Sequence, residues 1–207
     1  MPGATVYITV TNVNDNSPEF IDIPNKVDID ENVNEGTSVI TVTAIDADND
    51  NLTYSIKTPN VPFTINSTSG EIKSSGIIDR ENLDKYILII VVSDGKNTVE
   101  YKLEISVDDK NDNTPVVSDQ EVFVSEDKPV DVESVIATVT GTDADIGSNA
   151  VLVHEITGGN EDGKFIVNMV CHFICIVYIF CAFCWHILGF FQISLRQEKI
   201  GFPISSN

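Results

Sequence analysis

The stretch Asn12-Val13-Asn14-Asp15-Asn16-Ser17-Pro18 decides how the sequence is interpreted, because it recurs as Asp109-Lys110-Asn111-Asp112-Asn113-Thr114-Pro115. The spacing between the two stretches is 97 residues. A second pattern keeps this spacing, since Asp46-Ala47-Asp48 returns as Asp143-Ala144-Asp145. Self-similarity at a fixed spacing is the signature of repeated structural units. The chain is therefore predicted to be a tandem array of such units.

Short β-branched runs, in which apolar and polar residues alternate, occupy the unit between these patterns, and no helical periodicity is present. The last strand of the unit is seen twice, because Val6, Ile8 and Val10 repeat Leu103, Ile105 and Val107. Seven strands predict an all-β fold in which two antiparallel sheets pack as a Greek-key, immunoglobulin-like β-sandwich. The predicted strands are Val27–Ile29, Val39–Ile45, Leu52–Ile56, Phe63–Ile65, Glu71–Lys73, Tyr86–Val92 and Val99–Val107.

The charge of the chain is strongly negative, with 12 Lys+Arg against 32 Asp+Glu and a formal net charge of −20. This balance disfavours nucleic acid and anionic membrane surfaces as partners. The acidic and amide residues gather at strand ends and in the recurring Asn-Asp-Asn stretches, where crowded carboxylates need a counter-charge. Hard divalent cations such as Ca²⁺ take six to eight oxygen ligands of this kind, so the sequence predicts calcium sites.

An EF-hand loop is the first alternative for such a site, and both acidic stretches fail its pattern. Counted from Asp46, position six would need glycine and is Asn51, and position twelve would need glutamate and is Lys57. Counted from Asp109, the same two positions are Thr114 and Gln120. The ligands are therefore predicted to come from separate segments that meet between two units.

The motifs, taken together and in their order along the chain, resemble those of extracellular cadherin repeats. They are an acidic residue in the first strand, Asp-x-Asp, Asp-Arg-Glu, Asp-Gly and an Asx-x-Asn-Asp-Asn linker, found here as Glu31, Asp46–Asp48, Asp79–Glu81, Asp94-Gly95 and Asp109–Asn113. The resemblance implies that 1–19 end a preceding repeat with its linker, 20–113 form a complete repeat, and 114–168 form the N-terminal half of another.

The resemblance also implies the calcium ligands of two junctions. The junction after the complete repeat would use Glu31, Asp79, Glu81, Asp109, Asn111, Asp112, Asn113, Asp143 and Asp145, with a main-chain oxygen from Asn149. Asp109 and Asn113 would likewise contribute main-chain oxygens. The junction before the complete repeat would use Asn14, Asp15, Asn16, Asp46, Asp48 and Asp94. The third repeat ends before an equivalent of Asp94, so the later junction is expected to lack one ligand.

The function implied by the resemblance is calcium-dependent, homophilic cell–cell adhesion, with a cadherin ectodomain on an apposed cell as the partner. The location would be the plasma membrane, with extracellular repeats and a single-pass C-terminal anchor. No enzyme is predicted, because His154 belongs to no Ser/His/Asp or Cys/His arrangement, and Arg80 is explained by charge balance between Asp79 and Glu81. The alternative is a calcium-binding structural spacer or carbohydrate-binding stalk module of a larger secreted or surface protein.

Residues 169–207 form an apolar tail that differs from the rest of the chain. Phe165–Leu195 contain no Asp, Glu, Lys or Arg, and the repeat pattern stops after Asn168. Two interpretations stay open: a transmembrane segment over about 170–193, or sequence joined by mis-splicing. Zinc is disfavoured because Cys181, Cys184 and His186 stand in an apolar run without turn residues.

Two stretches match the acceptor pattern for N-glycosylation, Asn66-Ser67-Thr68 and Asn51-Leu52-Thr53. Both would fit a secreted surface. Asn66 is the better candidate, because Asn51 stands beside the Asp46 and Asp48 carboxylates.

Overall fold

The structure is a computed structural model, and it describes residues 3, 5–117, 135–158, 165–171, 174–179 and 192–196. The chain divides into two compact units, Met1–Asp108 and Asp109–Asn207. Cys181, Cys184 and His186, for which zinc was disfavoured, lie outside the described residues, as do 172–173 and 180–191 of the possible transmembrane segment.

The first unit contains nine strands and is all-β in its described residues. One sheet has the order β2-β9-β8-β5, the second has the order β3-β7-β6, and β1 pairs with β4. The bounds are β1 Glu19–Ile21, β2 Lys26–Asp30, β3 Ser38–Thr41, β4 Thr43–Ile45, β5 Thr53–Ile56, β6 Phe63–Ile65, β7 Glu71–Ser74, β8 Lys85–Ser93 and β9 Thr98–Asp108. The predicted sandwich is confirmed, and it departs from the expected antiparallel pairing at one ladder, because β2 and β9 are parallel.

Alternation along the strands builds the core of this sandwich. In β8 every second side chain is buried, including Leu88 and Ile90, and β9 contributes Leu103 and Ile105 from the neighbouring strand. Burying one such side chain stabilises a fold by about 1.5–3 kcal/mol. The predicted strand Val39–Ile45 is interrupted at Val42, which is fully buried and whose N–H donates to the carbonyl of Gly70 at 3.0 Å.

Residues 5–14 differ from the expected strand. They belong to no β-ladder, and the side chains of Val6, Tyr7 and Ile8 are exposed. Alternation alone does not make a strand, because the N–H and C=O groups of a strand need a hydrogen-bonded neighbour. The alternating sequence is present here, and no pairing strand is found among the described residues.

The second unit repeats the ladders of the first. Its strands are β10 Val116–Val117, β11 Val135–Thr142, β12 Val153–Gly158, β13 Phe165–Cys171, β14 Ile174–Ile179 and β15 Gln192–Arg196. Val116 pairs with Thr142 as Glu19 pairs with Ile45, again 97 residues earlier. The irregularity between Val135 and Ala137 in β11 likewise repeats the one between Ser38 and Ile40 in β3.

Where the structure describes the tail, its strands pair with strands that precede it in the chain. β14 pairs with β11 and β13 as β7 pairs with β3 and β6, and β15 pairs with β12 as β8 pairs with β5. The pairing therefore continues beyond Asn168, where we expected the repeat to stop. Among the described residues, no helix has the length and apolar character needed to cross a membrane. Apolar runs such as Ile174–Ile179 suit a buried strand as well as a buried helix, so hydropathy could not distinguish them.

Candidate metal centre

The first linker is held against its own unit by the carboxylate of Asp48. Oδ2 of Asp48 accepts the backbone N–H groups of Asp15 at 2.9 Å and of Asn16 at 2.8 Å, and Oδ1 accepts the side-chain amide of Asn16 at 2.8 Å. These bonds, led by those of Asn16, lower the pKa of the Asp48 carboxyl. Asp48 therefore stays ionised and fixes the position of the linker.

Asp46 and Asp50 complete a group of three carboxylates in the loop after β4. Oδ1 of Asp46 accepts the backbone N–H groups of Asp48 at 2.9 Å and Asp50 at 3.2 Å. Carboxylate oxygens from the three aspartates lie within 4.8 Å of one another. Oδ2 of Asp46 and Oδ2 of Asp50 are buried and make no hydrogen bond to any described residue. Burial, followed by repulsion from Asp46 and Asp48, raises the pKa of Asp50.

Asp94 closes the other side of this site at the turn after β8. Its Oδ1 accepts the backbone N–H groups of Lys96 at 2.7 Å and Asn97 at 2.5 Å, and its Oδ2 accepts the side-chain amide of Asn97 at 2.9 Å. Burial acts to raise the pKa of Asp94, but these hydrogen bonds outweigh it and lower the pKa to about 2. The predicted residues Asn14, Asp15, Asn16, Asp46, Asp48 and Asp94 are thus gathered within one unit.

The second unit repeats this geometry 97 residues later. Oδ1 of Asp143 accepts the N–H of Asp145 at 3.0 Å, as Asp46 does with Asp48. Oδ1 of Asp145 accepts the backbone N–H of Asn113 at 3.3 Å and its side-chain amide at 2.8 Å. The Oδ2 atoms of Asp143 and Asp145 are buried and have no hydrogen-bond partner within the described part of this unit, and burial raises the pKa of Asp145.

The remaining predicted ligands of the second unit surround the loop after β11. The Asp109 carboxylate accepts the side-chain amide of Asn149 at 2.7 Å, and the Asn149 carbonyl accepts the side-chain amide of Asn111 at 3.5 Å. Asp112 accepts the side-chain amide of Asn113 at 2.7 Å. Asp109 was expected to act through its main-chain oxygen, and here its side chain fastens the loop.

Glu31, Asp79 and Glu81 form a separate acidic group in the first unit. Glu31 is buried and accepts the backbone N–H of Arg80 at 2.9 Å. Arg80 forms an ion pair with Glu81, which fits its predicted charge-balancing role, and burial raises the pKa of Glu81 against that attraction. Asp79 caps the turn by accepting the N–H of Asn82 at 3.1 Å.

The donor set fits a hard cation. Every candidate ligand offers oxygen, and four buried carboxylate oxygens, on Asp46, Asp50, Asp143 and Asp145, have no hydrogen-bond donor in the described part of the chain. Leaving a buried charged acceptor without a partner costs about 1–3 kcal/mol or more. Calcium coordinates such oxygens in flexible geometry, so these residues are suited to hold it.

We call the cluster of the first linker, Asn14–Asn16, with the carboxylates of the Asp46–Asp50 loop and of Asp94 the first linker site. Sequence reasoning missed three of its residues. Asp50 was considered only as an EF-hand position, and Lys96 and Asn97 were not considered. Asp50 carried a usable signal, because it continues the alternation of Asp46 and Asp48. Lys96 and Asn97 carried none, since their contacts with Asn14 join residues 82 and 83 positions apart.

Sequence comparison finds a matching family and several relatives of this chain. Residues 25–119 match the family described as Cadherin domain. The chain is 38% identical to cadherin-23 of Rattus norvegicus over 175 residues, which are 80% of this chain and 5% of that protein. It is 34% identical to human cadherin EGF LAG seven-pass G-type receptor 2 over 178 residues, which are 80% of this chain and 6% of that protein. The chain thus spans a small part of the relatives that it matches.

Solved structures share the fold. The protocadherin GammaB4 extracellular domain matches with a TM-score of 0.69 and 28% identity, over 82% of this chain and 27% of that chain. The human desmocollin-1 ectodomain matches with a TM-score of 0.67 and 28% identity, over 82% and 35% of the two chains. Human protocadherin-24 EC1-2 matches with a TM-score of 0.65 and 25% identity, over 90% and 94%.

Proposed function

The chain belongs to the cadherin family, and from this premise we propose that it serves calcium-dependent, homophilic cell–cell adhesion through repeats stiffened by Ca²⁺. The partner is a cadherin ectodomain, of the same or a related protein, on an apposed cell. The protein that contains these repeats acts at the plasma membrane, with the repeats outside the cell and a single-pass C-terminal anchor.

One repeated observation carries this proposal. In each unit the second aspartate of Asp-Ala-Asp binds the linker amides, while the first aspartate keeps a buried oxygen that no described residue hydrogen-bonds. The hydrogen bonds position the linker, and the remaining oxygen is available to a cation. Two independent copies of one arrangement, 97 residues apart, support a common ligand rather than a solvated acidic surface.

Stiffening follows from the placement of charge. We propose that Glu31, Asp79 and Glu81 of the first unit and the ligands of the second unit, Asp109, Asn111, Asp112, Asn113, Asp143, Asp145 and Asn149, serve one junction. Like charges at 4 Å repel by about 4 kcal/mol where the effective dielectric constant is near 20. Bound calcium supplies the positive charge that offsets this repulsion. The linker oxygens then hold neighbouring units in one arrangement.

The proposal is tested by comparing the chain with its Asp46→Asn and Asp143→Asn double variant in calcium and in EDTA. The wild-type chain should melt at a higher temperature in millimolar calcium, because a site at ten times its Kd stabilises by about 1.4 kcal/mol. Extracellular calcium modules bind with Kd values of about 10⁻⁴–10⁻³ M. Calorimetric titration measures the Kd for calcium, and differential scanning calorimetry measures the melting temperatures.

Asp28→Asn is the matched control, because its carboxylate is exposed and pairs with Lys26 outside the acidic groups. It should leave the calcium response intact. Equal melting temperatures of the wild-type chain in calcium and in EDTA would contradict calcium binding. Beads coated with the chain test adhesion separately: calcium binding without calcium-dependent aggregation would instead favour a structural spacer or stalk.

We further propose Asn66 as a glycosylation site. Asn66 is exposed in the turn between β6 and β7, where its Oδ1 accepts the N–H groups of Thr68 at 3.0 Å and Ser69 at 2.9 Å. Secretion from animal cells should yield a chain whose mass falls on treatment with an N-glycan amidase, and Asn66→Gln should abolish most of that shift. Asn51 remains a weaker proposal because a glycan there would stand beside the Asp46, Asp48 and Asp50 carboxylates. Asn51→Gln is the control, and loss of the shift in this variant alone would overturn the preference.

A further inference from the structure

The side-chain amide of Asn97 lies where three oxygens of the first linker site converge. Its Nδ2 is 3.1 Å from Oδ1 of Asn14, 2.9 Å from the carbonyl oxygen of Asn16 and 2.9 Å from Oδ2 of Asp94. An amide nitrogen has two hydrogens, so it shares them among three acceptors. One nitrogen thus connects both ends of the Asn14–Asn16 stretch to the turn after β8.

The three acceptors are of the types that coordinate calcium: a carboxylate, a side-chain carbonyl and a backbone carbonyl. A calcium ion contacts such oxygens at about 2.3–2.6 Å through the same lone pairs that accept the Asn97 hydrogens. The amide and the ion therefore compete for these oxygens. Lys96 adds a second donor, this one positively charged, because its Nζ lies 2.7 Å from the carbonyl oxygen of Asn14.

The backbone of Asn97 is fixed, so only its side chain is free to leave. The Asn97 N–H donates to Asp94 Oδ1, and the Asn97 carbonyl accepts the Ser93 hydroxyl at 3.0 Å and the Asp94 N–H at 3.3 Å. These bonds close the turn independently of the amide. Rotation about the side-chain bonds would therefore free the three oxygens without breaking the turn.

We propose that the side chain of Asn97 takes the place of one cation in the calcium-free chain: it holds the linker oxygens together and must rotate away when calcium binds. This inference rests on the proposed calcium function. Asn97 is thus a positioning residue that gives the linker order without metal and weakens calcium binding by competition.

Asn97→Ala tests the two effects separately. In EDTA, hydrogen exchange at the Asp15 and Asn16 amides should become faster, because the linker loses the bonds that the Asn97 amide makes to Asn14 and Asn16. In a calcium titration followed by the NMR signals of the same amides, the Kd should fall at least threefold. Asn97→Asp, which removes the donor and adds a carboxylate, should bind more tightly still. Asn51→Ala is the matched control, an exposed asparagine with no hydrogen bond to the linker in the described residues, and it should change neither quantity.

The direction of the change in Kd distinguishes two roles for Asn97, competition with calcium and organisation of the calcium ligands. If Asn97 only organised the ligands, its removal would raise the Kd, and a raised or unchanged Kd would overturn the proposal, as would unchanged exchange in EDTA. If wild type and both Asn97 variants all fail to bind calcium, the proposed function is overturned, and this inference with it. Calcium binding by wild type without tightening in Asn97→Ala overturns only the inference.

Discussion

Replacing Gly70 with alanine should destabilise the first unit by about 3 kcal/mol or more, the largest effect that we expect from a single methyl group. Gly70 has a φ of +72°, and a Cβ atom there would lie 2.2 Å from the carbonyl oxygen of Val42. No side-chain rotation relieves this contact, because the obstacle is backbone. The same residues form the hydrogen bond from the Val42 N–H to the Gly70 carbonyl, so a backbone shift would weaken that bond as well.

Gly36→Ala is the control that isolates the contact from the conformation. Gly36 has a φ of +88°, and a Cβ atom there would meet nothing within 4 Å. Gly36→Ala should lower the free energy of unfolding only by the cost of an alanine in the left-handed conformation, about 1–2 kcal/mol. Urea unfolding followed by the near-ultraviolet circular dichroism of the tyrosines measures both variants. Equal losses of unfolding free energy in the two variants would show that the backbone at Val42 moves away from the new Cβ atom without loss of stability.

His154→Tyr should stabilise the second unit by about 1–3 kcal/mol, since it supplies a hydrogen bond that the histidine cannot make. His154 is 7% exposed, and neither ring nitrogen has a hydrogen-bond partner among the residues that the structure describes. Its counterpart in the first unit is Tyr54, which pairs with Val92 as His154 pairs with Leu195. The Tyr54 hydroxyl accepts the Ala44 N–H at 3.0 Å.

The same histidine should make the second unit sensitive to acid. Burial lowers the pKa of His154 below its ordinary value of 6.5. When the pH falls below 6.5, the unfolded chain takes up a proton that the folded chain resists, so stability decreases with decreasing pH. His154→Tyr and His154→Phe should both remove this slope, and only tyrosine should add the new bond. Hydrogen exchange of residues 153–158 between pH 5 and pH 8 measures it. A slope that survives in the phenylalanine variant would assign the sensitivity to other groups.

The sequence predicted the sandwich well because alternation and burial coincide in its central strands. β8 and β9 extend the predicted Tyr86–Val92 and Val99–Val107 by one residue at each end. β1, only three residues long, was missed because Glu19–Ile21 is too short to show a period. The aspartates of both Asp-Ala-Asp motifs could be predicted as site residues from the 97-residue repeat alone. A motif that recurs at a fixed spacing can be recognised without knowledge of the contacts that its residues make.

The parts that could not be predicted depend on contacts across the chain. Asn97 has no motif of its own, and its importance arises because the turn after β8 meets Asn14 in space. The strands of the tail are similar: Ile174–Ile179 became interpretable only through its register with β11, which matches that of β7 with β3. A hydrophobic run predicts burial of a segment, and it does not predict which segments will pack against it.

The pairing of β2 with β9 is parallel, with Lys26 opposite Glu104 and Asp30 opposite Asp108. Tension applied along the chain, entering before β2 and leaving after β9, would draw these two strands in opposite directions along their length. All the hydrogen bonds of the ladder would then be loaded together, in shear, instead of opening one after another from an end. The topology of the first unit therefore makes its sandwich resistant to stretching, independently of any ion at its ends.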